Sequence, residues 1–146
     1  MSAPVTGRIR RRLRRDGPLV LAVAAGGSLG ALLRYEAGLV WPTASGTFPT
    51  TTLLINLSGC LVIGAFLVII TEIWTPHRLL RPFFGTGVLG GFTTFSTYSL
   101  DIVTLVRQGH PGTAMLYLAA TALGALLAVA LGMLAARVLL SSRRSR

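Results

Sequence analysis

The chain has 146 residues, 52% of them hydrophobic and only 12% charged, with a net charge of +10 that comes from fourteen arginines and no lysine. A soluble domain carries about 25% charged residues, so a soluble fold with a large core is excluded and a small integral membrane unit of a few spans is indicated. The single Cys60 excludes an internal disulfide, and no aromatic-interleaved basic domain follows the arginines, which argues against a nucleic-acid partner.

Residues 1–17 form a basic lead-in holding Arg8, Arg10, Arg11, Arg12, Arg14 and Arg15. The apolar run after it is longer than a signal-peptide core and ends in Arg34-Tyr35-Glu36 without a clear cleavage site, so it reads as a retained span. Span one covers about 18–40. Gly26 and Gly30, and Gly27 and Ala31, repeat small residues every four positions, the spacing that lets helices approach closely in lipid. Arg34, near the span's far end, reads either as a snorkelling interfacial residue or as a cation facing a vestibule. A loop with Trp41, Pro42, Gly46 and Pro49 follows, and its tryptophan suits a membrane interface.

Span two covers about 51–71. Asn56 is its one strongly polar interior residue and shares a face with Cys60 and Gly64. An asparagine in hydrocarbon needs a partner, so it points into the bundle, either to join helices or to offer its amide to an anion. The loop to Arg81 contains Pro76, His77 and Arg78, and its lone histidine suggests neither metal nor catalysis.

Span three, about 79–106, exceeds the ~20 residues of a straight crossing. It contains Gly85, Gly87, Gly90 and Gly91, then Thr93-Thr94-Phe95-Ser96-Thr97-Tyr98-Ser99. Glycine, threonine and serine weaken a helix or offer its backbone competing bonds, so a break at Gly90–Thr93 is expected. In a membrane such a break is tolerated only where protein or water surrounds it. Asp101, at this depth, is a candidate functional acid, a helix cap or an arginine partner. After a turn at 107–112, span four covers about 113–140. Tyr117 and Thr121 share a face that Gly124, Ala128 and Gly132 continue, either as a packing seam or as a hydroxyl track. The tail 141–146 is basic and is expected to be disordered.

Four spans put both termini on one side, and that side carries twelve of the fourteen arginines. The excess of positive charge predicts cytoplasmic termini in a bacterial plasma membrane, with basic residues touching lipid head groups. Two loop histidines and four scattered acids build no catalytic site, so the chain is not expected to be an enzyme. The span interiors are rich in donors: Asn56, Thr93, Thr94, Ser96, Thr97, Tyr98, Ser99, Tyr117 and Thr121, with the ring edges of Phe95 and Tyr98 weakly positive. Donors suit a small anion, whereas carbonyls freed at a helix break suit a cation.

Three segments, Gly26-Gly27-Ser28-Leu29-Gly30-Ala31-Leu32-Leu33-Arg34-Tyr35, Asn56-Leu57-Ser58-Gly59 and Gly90-Gly91-Phe92-Thr93-Thr94-Phe95-Ser96-Thr97-Tyr98, resemble the small bacterial fluoride channels known as Fluc or CrcB. The resemblance covers all four spans in order. It implies an all-α membrane protein with the third of four transmembrane helices broken in mid-membrane, assembled as an antiparallel dual-topology dimer. It further implies passive export of cytoplasmic fluoride that lowers its toxicity. A structural Na⁺ at the dimer interface would be held by the backbone carbonyls of Gly90 and Thr93. The implied fluoride pathway consists of Arg34, Asn56, Phe95, Ser96, Tyr98, Tyr117 and Thr121. The chain departs from the family pattern at Tyr98, usually a second phenylalanine, and at Ala125, where a serine would extend the hydroxyl track. Its strong charge bias predicts one fixed orientation and pairing with an oppositely oriented homologue. The competing readings are a proton-coupled exporter of cationic compounds, which needs a carboxylate deep in span one, and a non-transporting membrane scaffold, which would leave the interrupted span three unexplained.

Overall fold

The computed structural model describes the backbone of residues 5–73 and 78–144 and the side chains of 16–72 and 78–142. Pro76 and His77 of the second loop lie outside the described residues. Leucine and alanine dominate the apolar runs and favour helix, and every described element is helical. They are α1 (Val5–Val40), α2 (Thr50–Val68) continued by the π-helical turn π1 (Ile69–Ile73), a longer π-helical segment π2 (Pro82–Leu89), the single turn α3 (Gly90–Phe92), α4 (Ser96–Arg107) and α5 (Pro111–Arg144). Three stretches, Asp16–Val40, Thr50–Glu72 and Pro111–Ser142, are long and apolar enough to cross a membrane.

Local chemistry sets the boundaries. Proline starts π2 and α5, where its missing N–H is not needed. The α4–α5 turn closes with the His110 N–H donating to Leu105 O at 2.9 Å and the Gly109 N–H to Val106 O at 3.1 Å. Gly109 has φ +83 there, the left-handed conformation that a helix-ending glycine supplies. At the other ends, two expectations shift. The basic lead-in is helical from Val5 and continuous with span one, and α5 carries the tail as helix through Arg144, not as a disordered end.

The packing follows the small residues. α1 lies on π2 and α3, and α2 and α4 both lie on α5. A Cβ at Gly26 would collide with Phe83 O, one at Gly30 with Val88 O, and one at Gly91 with Gly27 O. Gly26 and Gly30 therefore face that partner, whereas Gly27 meets it only through its backbone, a Cβ at Gly27 itself meeting nothing within 4 Å. The α2–α5 seam is equally close: a Cβ at Gly64 would meet Val129 O, and one at Gly132 would meet Leu61 O. Tyr117, Thr121, Ala128 and Ala136 line the buried face of α5, while Leu116, Leu123, Leu126, Leu127 and Leu131 are exposed on its outer side. That inversion, small and polar inside and leucine outside, is how a chain solvated by lipid packs.

The two ends are tied differently. At one, Arg137 pairs with Glu72 at 3.0 Å and Arg81 donates to the Ile70 carbonyl. At the other, Gln108 donates to Ser45 Oγ at 2.8 Å, and Thr51 donates to the Trp41 carbonyl.

Candidate functional site at the interruption of the third span

Helical structure lapses between α3 and α4, at residues 93–95. The lapse lies further along than the glycines suggest. Gly90 and Gly91 stay in the α3 turn, and the Thr93 N–H and hydroxyl both donate to Leu89 O, at 3.0 and 2.9 Å. The chain leaves the helix at Thr93 itself, with φ −73 and ψ 155, which turns the Thr93 carbonyl away from the helix axis direction. The cause sits on α2. Asn56, 7% exposed, accepts the Thr94 N–H on Oδ1 at 2.8 Å and donates Nδ2 to the Thr94 carbonyl at 3.0 Å. One side-chain amide thus pairs with both backbone groups of one residue, in place of the N–H that a continuous helix would give to the Gly90 carbonyl. Gly59, one turn along α2, leaves room for the Thr93 side chain.

Thr94 also restarts the helix. Its Oγ1 accepts the Thr97 N–H at 3.1 Å, the geometry of an N-cap. It donates to Thr97 Oγ1 at 3.1 Å and lies 3.2 Å from Ser96 Oγ. On the other side of the interruption, Arg34 donates from Nε to Gly91 O at 3.1 Å. Arg34 therefore compensates the carbonyl end of α3, a favourable place for a cation.

A groove of about 350 Å³ opens beside the interruption, lined by Asn56, Cys60, Thr93, Thr94, Phe95, Tyr98, Thr121, Ala122 and Ala125. Phe95 is 80% exposed at its edge. Thr121 is 6% exposed; its hydroxyl closes no hydrogen bond by distance among the described residues but interacts with the Tyr117 hydroxyl one turn back. Among the described residues no carboxylate lines the groove.

The other candidate residues have partners. The Tyr98 hydroxyl donates to Leu118 O on α5 at 3.0 Å, so the hydroxyl absent from the usual phenylalanine is tied to backbone. Tyr117 is fully buried and donates to Asp101 Oδ2 at 3.2 Å. Asp101 takes the Tyr117 hydroxyl as its partner, which ties α4 to α5, and among the described residues it forms no ion pair with an arginine. Four rings run in series, Phe95 to Tyr98 at 5.8 Å, Tyr98 to Tyr117 at 5.3 Å and Tyr117 to Phe48 at 5.5 Å, the last edge-on. Phe48 goes unnoticed in the sequence, because its partner is a long-range contact; Thr94 stands among the span-three donors, but its capping of α4 is not singled out.

A family profile described as "CrcB-like protein, Camphor Resistance (CrcB)" matches residues 21–133. The chain belongs to the CrcB family. Relatives of this CrcB chain include the "Fluoride-specific ion channel FluC 2" of Streptomyces avermitilis, 61% identical over 77% of this chain and 72% of the relative. They also include "Fluoride-specific ion channel FluC 1" of Streptomyces coelicolor, 52% identical over 99% of this chain and 100% of the relative. A third, "Fluoride-specific ion channel FluC 2" of Nocardia farcinica, is 53% identical over 84% and 87%. By its three long apolar helices this CrcB chain is a multi-pass membrane protein.

Among the described residues no group of three or more His, Cys, Asp or Glu could hold a metal ion. Carbonyl ligation is another matter. The N–H that would occupy the Gly90 carbonyl is diverted to Asn56, and the Thr93 carbonyl is turned out by its ψ of 155. Gly90 is exposed, and a Cβ there would meet nothing within 4 Å. The two residues thus have the chemistry that a hard, oxygen-seeking cation requires.

Proposed function

We propose that this chain is a subunit of a fluoride-selective channel through which cytoplasmic fluoride leaves passively, lowering its toxicity. The names of its relatives support the substrate. The observation that carries the reading is the groove at the interruption, lined by the Asn56 amide, hydroxyls and ring edges, with no carboxylate among the described residues.

An anion leaving water needs its lost hydration replaced by donors held in place. Thr121 supplies a hydroxyl and Asn56 the second hydrogen of its NH₂ group, the first being used on Thr94. Ser96 adds an exposed hydroxyl, and Phe95 and Tyr98 add ring edges. Tyr117 acts at one remove, its own proton given to Asp101 while its ring backs Tyr98. Arg34 contributes positive potential from its seat on Gly91 O. Fluoride, small and strongly hydrogen-bonding, profits most from such close donors. A proton-coupled exporter of cations would instead need a carboxylate deep in span one, and Glu36 stands at the exposed far end of α1.

In this reading the interruption lies in mid-membrane and both termini face the cytoplasm of a bacterial plasma membrane. The open groove is completed by a second, antiparallel subunit. The Gly90 and Thr93 carbonyls would hold a structural Na⁺ at that interface. Two oxygens do not complete the shell of a hard cation, and a facing copy would bring two more. The ion would supply charge compensation between facing carbonyls. The strong arginine bias favours one fixed orientation, hence a partner of opposite bias and not a second copy. Streptomyces avermitilis carries relatives numbered 2 and 3, so several such chains coexist in one organism.

Efflux from liposomes tests the reading. Fluoride should leave rapidly while chloride is retained, and Asn56→Asp, which puts negative charge in the anion's path, should abolish the flux. Proton-coupled cation exchange in place of fluoride efflux would overturn it. Coexpression settles the partner: a functional homodimer formed by this chain alone would exclude the fixed-orientation arrangement.

A further inference from the structure

One ring of the aromatic series belongs to no helix. Phe48 stands in the loop between α1 and α2, and Pro49 after it takes φ −77 and ψ 68. The Thr50 N–H donates back to Phe48 O at 2.8 Å. Those angles and that bond make an inverse γ-turn, and the ring of proline presets the φ it needs. The backbone at Phe48 is therefore fixed by its own neighbour in sequence.

The rest of the loop is tied down as well. Ala44 O accepts the Thr47 N–H at 3.2 Å and the Thr47 hydroxyl at 2.7 Å, and Gly46, with φ +80, supplies the left-handed position of that turn. Thr43 donates to Thr51 Oγ1 at 2.9 Å, which joins the loop to the first turn of α2. At the tip of the loop Gln108, from the α4–α5 turn, donates to Ser45 Oγ at 2.8 Å, and a Cβ at Gly46 would lie 3.1 Å from Gln108 Oε1.

The anchored ring meets one residue of the candidate pathway. Phe48, half-buried, lies 5.5 Å from Tyr117 with the two planes at 85°. Tyr117 is fully buried, lies 5.3 Å from Tyr98 and donates its hydroxyl to Asp101. One hydrogen bond leaves a phenol free to swing about its Cβ. An edge-on neighbour removes that freedom, and such a ring pair contributes beyond the area it buries.

We infer that Phe48 is a positioning residue of the fluoride pathway, mounted on the loop at 41–49, which holds the Tyr117 ring against Tyr98 and its hydroxyl on Asp101. The inference rests on the channel reading. Donors and ring edges select a small anion only while packed neighbours hold them in place. Without Phe48 the Tyr117 ring is slack and Tyr98 loses its backing, so the pathway conducts fluoride less well and admits a larger anion. A residue that only packed the loop would change the amount of folded protein, not the ion that each folded channel passes.

The test measures fluoride and chloride efflux from liposomes for the conducting assembly carrying Phe48→Leu, Phe48→Tyr or Gln108→Ala, each scaled to folded protein by its size-exclusion profile. Phe48→Leu keeps the bulk and loses the ring. Fluoride efflux should fall about tenfold, the upper worth of such a pair, and chloride should leak. Phe48→Tyr should restore both. Gln108→Ala leaves the buried rings in place and loosens their mount, so a loss of about twofold is expected, and none beyond that of Phe48→Leu when the two are combined. Unchanged fluoride efflux with chloride retained in Phe48→Leu, or failure of Phe48→Tyr to restore either, would overturn the role. Should Phe48→Leu not fold, unchanged efflux of both ions in Gln108→Ala overturns it. Absence of fluoride efflux from the unsubstituted protein would instead remove the channel reading, and this role with it.

Discussion

The third span and α5 are built from similar material and end differently. Both are rich in glycine and alanine, and both press glycines against a neighbouring backbone, Gly87 and Gly91 against α1 and Gly132 against α2. Yet α5 runs 34 residues without a lapse, whereas the third span is π-helical, then α-helical, then open at residues 93–95. Glycine is not what separates them, because Gly85, Gly87, Gly90 and Gly91 all remain helical. The lapse occurs where another element supplies partners for the peptide groups that a helix would otherwise pair. Asn56 does this for Thr94, Arg34 for Gly91 O, and Thr94 Oγ1 for the Thr97 N–H. Apolar α2 residues offer nothing of the kind to α5.

Substitutions can break or sharpen that contrast. The largest effect is expected from Gly132→Leu. Its side chain must enter the space of the Leu61 carbonyl, and neither backbone can yield without parting α2 from α5. We expect loss of the folded bundle in detergent, read by size-exclusion profile, with helix content by circular dichroism largely kept; a normal profile would show that the seam has slack. Asn56→Leu comes next. It leaves the Thr94 N–H and carbonyl without their partner, and one buried unsatisfied group costs about 1–3 kcal/mol. Detergent-titrated unfolding should shift by about that amount, and fluoride efflux should fail. Unchanged stability would mean that the third span can close into continuous helix without Asn56, and that the glycine and hydroxyl pattern set the lapse after all.

Thr94→Val removes the cap of α4 while keeping shape, at a cost of about 1 kcal/mol. Thr94→Ser should restore it, and failure of serine to do so would point to the methyl group and not the hydroxyl. The smallest effect is expected of Tyr98→Phe. It deletes one hydrogen bond to Leu118 O, and interhelical bonds within membranes average about 0.6 kcal/mol. Stability should barely move, so fluoride efflux becomes the informative reading. A collapse of efflux would show that the tyrosine hydroxyl serves the ion and not the α5 backbone.

Much of this was legible before any coordinates. The apolar runs, the prolines that start helices and the small-residue repeats Gly26/Gly30 and Gly27/Ala31 gave the spans and one true packing face. Asn56 stood out because an amide among apolar residues must have a partner. What could not be read was which partner. The sequence left Asn56 as helix glue or anion donor, and its Thr94 partner is 38 residues away. The bonds of Arg34 to Gly91 O and of Tyr98 to Leu118 O were equally out of sight. Each of these depends on a contact far along the chain.

Composition and periodicity by themselves determined that the chain is helical, solvated by lipid and interrupted near its third span. They did so because hydrophobicity, helix propensity and the need to satisfy peptide groups are local properties. The tertiary structure alone decided where the interruption falls and which groups bind the peptide freed there. A peptide group leaves a helix only when something else binds it, and whether Asn56 reaches Thr94 is settled by how α2 meets the chain between α3 and α4 in space.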